Sequence, residues 1–110
     1  MDELLEFRLS VVRLGPHRCT IWVGGELDLY SCPELKDAIR ALPDEVTDLT
    51  LDLTNVTFVD SAGLGVLVTA AKKTSPHQVT LIVPDHNVLK VLAITGLDRL
   101  FKIRDADAVA

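Results

Sequence analysis

Residues 5–11 alternate apolar and polar side chains, Leu5, Phe7, Leu9 and Val11 against Glu6, Arg8 and Ser10. That period predicts a strand with one buried face. Gly15-Pro16 marks a turn. Cys19, Ile21 and Val23 then share one face of a second strand, with Arg18, Thr20 and Trp22 on the other. The pair reads as an antiparallel hairpin. Downstream the spacing lengthens. Leu35, Ala38, Ile39 and Leu42 follow the stripe of an amphipathic helix. Ser31 and Glu34 have capping-box spacing, Pro33 suits a first turn, and Pro43 ends the helix.

Alternation returns in "DLTLDLTNVTFV", with Leu49, Leu51 and Leu53 inward. A second helix is expected from about Ser61, with Leu64, Leu67, Val68 and Ala71 as its stripe. Lys72 and Lys73 suit the negative end of its dipole. "QVTLIV" reads as a strand, and "HNVLKVLAITG" as a helix with Asp85 as cap and Gly96 as terminator. "LFKI" is a last short strand, and "DADAVA" adds a short helical turn. The order β-β-α-β-α-β-α-β, with polar residues on alternate strand positions, predicts an α/β fold of two layers. Helices cover one sheet face and the other stays polar.

The chain has 110 residues, the size of one domain. Apolar residues make up 48%, enough for a packed core rather than disorder. A net charge of −5 argues against nucleic acid as the main partner. No apolar run approaches the length of a membrane span, and the acidic start "MDELLEF" does not resemble a secretory signal. A cytoplasmic protein without a membrane partner is expected. Cys19 and Cys32 fit no zinc pattern, and His17, His77 and His86 are scattered. His17 and Cys19 could share a strand face, but two ligands make no metal site. The cysteines are expected to be reduced and structural, and no cofactor is expected.

The stretch "FVDSAGLGVL" concentrates the remaining chemistry. A hydrolase elbow needs glycine two residues before Ser61, where Val59 stands. The dinucleotide pattern begins at Gly63 and Gly65 and fails at Val68, and no P-loop follows. Asp28, Asp52 and Asp60 do not form a fixed carboxylate pair in the sequence, so no catalytic residues are assigned. Ser61 reads either as a helix cap or, with Asp60 capping instead, as a first helical residue with a free hydroxyl. Gly63 and Gly65 each weaken a helix by up to about 1 kcal/mol against alanine. Their presence suggests that something approaches the backbone there.

"FVDSAGLGVL" resembles the signature of STAS domains, specifically bacterial anti-sigma factor antagonists. "VGGELDLYSCPEL" resembles the first block of that family, and "ITGLDRLFKI" its third. The resemblance runs from about residue 5 to 105 and implies one STAS domain over residues 1–110, a mixed sheet with helices on one face. It implies phosphorylation of Ser61 by an anti-sigma factor that is a serine kinase of histidine-kinase-like fold. The unmodified antagonist would bind that kinase and free a sigma factor. Phosphate would release it, and a PP2C-type phosphatase would reset the cycle. The implied partner surface comprises Asp28, Tyr30 and Ser31 with Asp60, Ala62, Gly63, Leu64 and Gly65. A STAS module that senses a small molecule or nucleotide, or one that scaffolds a signalling complex, is the alternative.

Overall fold

A computed structural model describes residues 6–74 and 78–105. Five strands form one sheet in sequence order, β1 (Arg8–Arg13), β2 (Arg18–Leu27), β3 (Asp48–Val59), β4 (Val79–Ile82) and β5 (Lys102–Arg104). β1 and β2 pair antiparallel, as the hairpin reading expects, and every later pairing is parallel. Three helices make the parallel crossovers, α1 (Cys32–Arg40), α2 (Ser61–Thr74) and α3 (His86–Thr95). A short 3₁₀ turn, Leu97–Leu100, leads into β5. Neighbouring parallel strands joined by crossovers of one hand place all their helices on one side. The core follows from that: Ile21, Leu49, Leu51, Leu53, Val79 and Leu81 face Leu35, Ile39, Leu67 and Leu92 of the helices, all buried. Thr20, Trp22, Thr50 and Thr80 occupy the opposite face. The architecture is the two-layer α/β arrangement expected from the alternation.

Local signals explain most element ends. The Asp85 carboxylate accepts from the Asn87 and Val88 amides at 2.8 and 3.1 Å and caps α3. Gly96 closes the same helix at φ +77°, where a side chain would be strained. Lys72 and Lys73 lie in the last turn of α2.

Four expectations need correction. The apolar stripe of α2 is rotated: Gly63, Val66, Leu67, Ala70, Ala71 and Thr74 face the core, while Leu64 and Val68 are only half-buried. Gly63 turns that face inward because it fits against β2. The capping box at Ser31 does not form, since the Ser31 hydroxyl is used elsewhere, as described below. Leu42 is buried but lies beyond the end of α1. Val11 has the parity of the core face, paired with buried Ile21, yet stays 45% exposed because β1 is the edge strand and the helical layer is centred on the inner strands. Leu5 and the expected C-terminal turn, residues 106–110, lie outside the described residues.

Candidate functional site

The loops that follow β2 and β3 meet above the sheet, because parallel neighbouring strands deliver their C-terminal ends to the same edge. Leu27 and Val59, the last residues of these strands, are register partners. Asp60 is the hinge between strand and helix. Its backbone amide donates to the Leu27 carbonyl at 3.2 Å. One carboxylate oxygen, Oδ1, accepts from the Gly63 amide at 2.9 Å, which caps α2. The other, Oδ2, accepts from the Leu29 amide at 3.2 Å. Asp60, not Ser61, therefore satisfies the open helix end.

Ser61 is left as the first residue of α2, exposed, and its hydroxyl makes no hydrogen bond with the described residues. Asp60 caps, and the serine side chain is spare. No acidic residue occupies the first turn of α2 itself. Asp60 takes the Gly63 amide, and the Ser61 and Ala62 amides have no hydrogen-bond partner among the described residues.

The two glycines differ. Gly63 is buried, and a Cβ there would stand 2.5 Å from the Leu27 carbonyl oxygen and 2.9 Å from Val59 Cγ1. Its absent side chain lets α2 seat on the end of β2. Gly65 is exposed with nothing within 4 Å of a Cβ position. Only Gly65, together with half-buried Ala62 and Leu64, flattens the surface near Ser61.

The first loop is built by Asp28 and Ser31. Asp28 Oδ1 accepts from the amides of Tyr30 and Ser31, both at 3.0 Å. The Ser31 hydroxyl donates to the Glu26 carbonyl at 2.6 Å and accepts from the Asp28 amide at 3.0 Å. The hydroxyl is thereby committed to the turn, which is why no capping box exists. This closed network holds Leu29 and Tyr30 outward, and Tyr30 is 90% exposed. Of the sequence-assigned surface residues, Tyr30 and Gly65 are exposed and Ala62 and Leu64 half-buried. Asp28, Ser31 and Asp60 are also half-buried, with their side chains engaged in the two loops, and Gly63 alone is buried. Leu29, which the sequence reading did not assign, is also exposed next to Tyr30.

Asp52 is not part of this arrangement. It sits mid-strand on the open face of the sheet and bonds Thr54. No group of three or more His, Cys, Asp and Glu side chains among the described residues could hold a metal ion. Nor does any described helix have the length and apolarity to cross a membrane. His17 lies before β2, with Nδ1 2.9 Å from the Glu45 carbonyl oxygen.

A two-layer mixed sheet whose third strand is followed by Asp60-Ser61 at a helix mouth defines the class, and comparison with known proteins agrees. A family model described as "Mlab, STAS domain" matches residues 10–104, and the chain belongs to the STAS-domain family. The anti-sigma-B factor antagonist of Listeria monocytogenes is 34% identical over 90 residues, covering 79% of each protein. An anti-sigma factor antagonist from Mycobacterium paratuberculosis superposes with a TM-score of 0.73 at 27% identity, over 90% of this chain and 86% of that one. The Bacillus protein SpoIIAA in its phosphorylated form shares the fold, with a TM-score of 0.66 at 17% identity over 93% and 96%.

Proposed function

We propose that residues 1–110 act as one STAS domain and as an anti-sigma factor antagonist, switched by phosphorylation of Ser61. The observation that carries this reading is the spare, exposed Ser61 hydroxyl at the mouth of α2. The unphosphorylated surface, with Tyr30, Ala62, Leu64 and Gly65 around Ser61, binds an anti-sigma factor and frees a sigma factor. Asp28, Ser31, Asp60 and Gly63 fix that surface. The chain works by binding rather than by catalysis, in the cytoplasm. Names of the relatives support the antagonist role.

Phosphate adds about −1.5 to −2 charges at pH 7. At Ser61 it would meet free amides and the helix dipole, which favour an anion. The fold then accommodates it, while a partner docked on Tyr30, Leu64 and Gly65 meets new bulk and charge. The modifying enzyme is the anti-sigma factor itself, a serine kinase of histidine-kinase-like fold, and a PP2C-type phosphatase reverses it.

The test incubates the protein with ATP and candidate kinases of this type from the same genome. Mass spectrometry should map one phosphate, on Ser61, and calorimetry should show that the product has lost affinity for the kinase. Phosphate on another residue, or equal affinity before and after, rejects the switch.

A further inference from the structure

We infer that the open face of the sheet is a binding platform for a small aromatic anion that carries an N–H donor. The inference concerns the sheet face opposite α2 and rests on nothing assigned to Ser61.

Strand register aligns four side chains in one row: Trp22 on β2, Asp52 on β3, Ile82 on β4 and Arg104 on β5. Strands lie about 4.8 Å apart, so the row spans roughly 14 Å from Trp22 to Arg104. Lys102 stands beside Arg104 on the same face, in register with Thr80. The row lines a groove of about 330 Å³.

Each position departs from what an idle solvent-facing sheet needs. Trp22 is half exposed, on the sheet face opposite the described helices. Asp52 is only 6% exposed, although none of the described helices covers this face. Its Oδ1 accepts both the amide and the hydroxyl of Thr54, at 3.0 and 2.5 Å. Its Oδ2 receives no hydrogen bond from the described residues. Asp52 and Trp22 also line a second depression, on the other side of the row. Ile82 is buried yet stands apart from the main core, as an apolar floor between Asp52 and Arg104. Neither Lys102 nor Arg104 has a carboxylate within ion-pairing reach among the described residues.

The order along the row specifies the ligand. Asp52 is largely buried, but no buried side-chain oxygen among the described residues lacks a partner, so Oδ2 opens to the groove as an acceptor for a charge-assisted bond from an N–H donor. An aromatic ring fits over Ile82, walled by the Trp22 indole. A carboxylate or phosphate on the far side of that ring meets Lys102 and Arg104. Reversing the ligand would put its anion against Asp52 and its donor against two cations, so only one orientation is favourable.

Trp22 is the only tryptophan in the chain, which gives a single indole N–H resonance as reporter. ¹⁵N-labelled protein is titrated in parallel with 4-aminobenzoate and guanosine 5′-monophosphate, with benzoate as the donor-free control. A saturable shift of the Trp22 indole peak is expected with one of the two probes, and which one binds tells carboxylate from phosphate. Benzoate should bind at least tenfold more weakly than 4-aminobenzoate if the carboxylate arm is the one that responds. Asp52→Asn keeps an acceptor for Thr54 but turns an amide N–H toward the ligand donor. It should weaken binding at least tenfold with an otherwise unchanged amide spectrum. Arg104→Ala and Lys102→Ala should each weaken it severalfold and reduce its salt dependence. Absence of a saturable shift with both probes overturns the inference, as does a shift that survives Asp52→Asn or is matched by benzoate.

Discussion

The Asp60 carboxylate accepts the Leu29 amide at 3.2 Å across a sequence separation of 31 residues. With its other oxygen on the Gly63 amide, one side chain joins the first loop to the mouth of α2. The surface proposed to meet the partner is thus one mechanical unit, although it comes from two distant segments.

Removing that link should be felt in stability. Asp60→Ala deletes a helix cap, worth about 1 kcal/mol, and a second hydrogen bond of similar worth. A loss of roughly 2 kcal/mol corresponds to a Tm about 8 °C lower for a domain of this size. Thermal denaturation followed by circular dichroism measures it. An unchanged Tm would mean that the two bonds are replaced by water at no cost.

The glycines should answer to substitution with opposite signs. Gly63→Ala places a methyl group 2.5 Å from the Leu27 carbonyl oxygen, a backbone atom that cannot swing away. Overpacking of this kind costs about 1–3 kcal/mol. Gly65→Ala meets nothing within 4 Å and replaces a poor helix former with a good one. It should stabilise by up to about 1 kcal/mol. Denaturant midpoints of the two variants decide the matter, and destabilisation by both would show that Gly65 is also packed.

These positions show where sequence reasoning works and where it stops. Alternation at Leu49, Leu51 and Leu53, and capping by Asp85 and Gly96, depend on neighbours in the chain, so they were legible. Asp60 as an alternative cap was legible for the same reason. The inward turn of Gly63 was not, because a glycine carries no hydrophobic signal and its burial depends on Leu27, far upstream. Nor was the slip within β3, where inward positions pass from Leu53 to Val56 and then Val59. That slip accompanies pairing irregularities with β2, between Trp22 and Gly24 and between Gly25 and Glu26. At both places the extra residue lies in β3, and a bulge whose position is defined only by pairing with β2 leaves little trace in the local sequence. The Ser31 capping box failed because Glu26 and Asp28 claim its hydroxyl first.

Asp28 follows from the same network. Its carboxylate receives two backbone amides, so Asp28→Ala should cost about 1–2 kcal/mol in addition to any loss of partner affinity. Asp28→Asn, which keeps the acceptor, should recover most of the stability. Urea melts of both variants test this. Equal melts for Ala and Asn would place the carboxylate outside the loop's support.

Cys19 and Cys32 should remain thiols even under mild oxidation. The eight residue steps of β2 from Cys19 to Leu27 cover roughly 26 Å. Cys32 lies beyond the far end, where its amide bonds the Asp28 carbonyl. A disulfide requires Cα atoms within about 7 Å. Burial pushes the Cys19 thiol above its ordinary range, against a smaller opposing pull from the Arg13 charge. The folded state therefore holds the proton more tightly than the unfolded chain. Its contribution to stability is complete below the unfolded thiol's range and is lost as pH rises through the folded value. Cys19→Ser should flatten that alkaline loss, and thiol titration of the native protein should show slow labelling of Cys19.

Ser61 offers the cleanest separation of folding from binding. Its hydroxyl bonds nothing among the described residues, and Asp60 already caps α2. Ser61→Ala should therefore change stability by less than about 0.5 kcal/mol. It should also resist phosphorylation and keep full affinity for the anti-sigma factor. Ser61→Glu puts a carboxylate at a helix start, worth about 0.3–1 kcal/mol there, although Asp60 beside it offsets part of that gain. The Glu variant should fold as well as the parent and bind the partner at least tenfold more weakly. Circular dichroism melts and calorimetric titration, run on the same preparations, read the two effects separately. A Glu variant that melts normally and binds like the parent would remove negative charge at Ser61 as the basis of release. An Ala variant that loses stability would instead return the hydroxyl to a structural role at the mouth of α2.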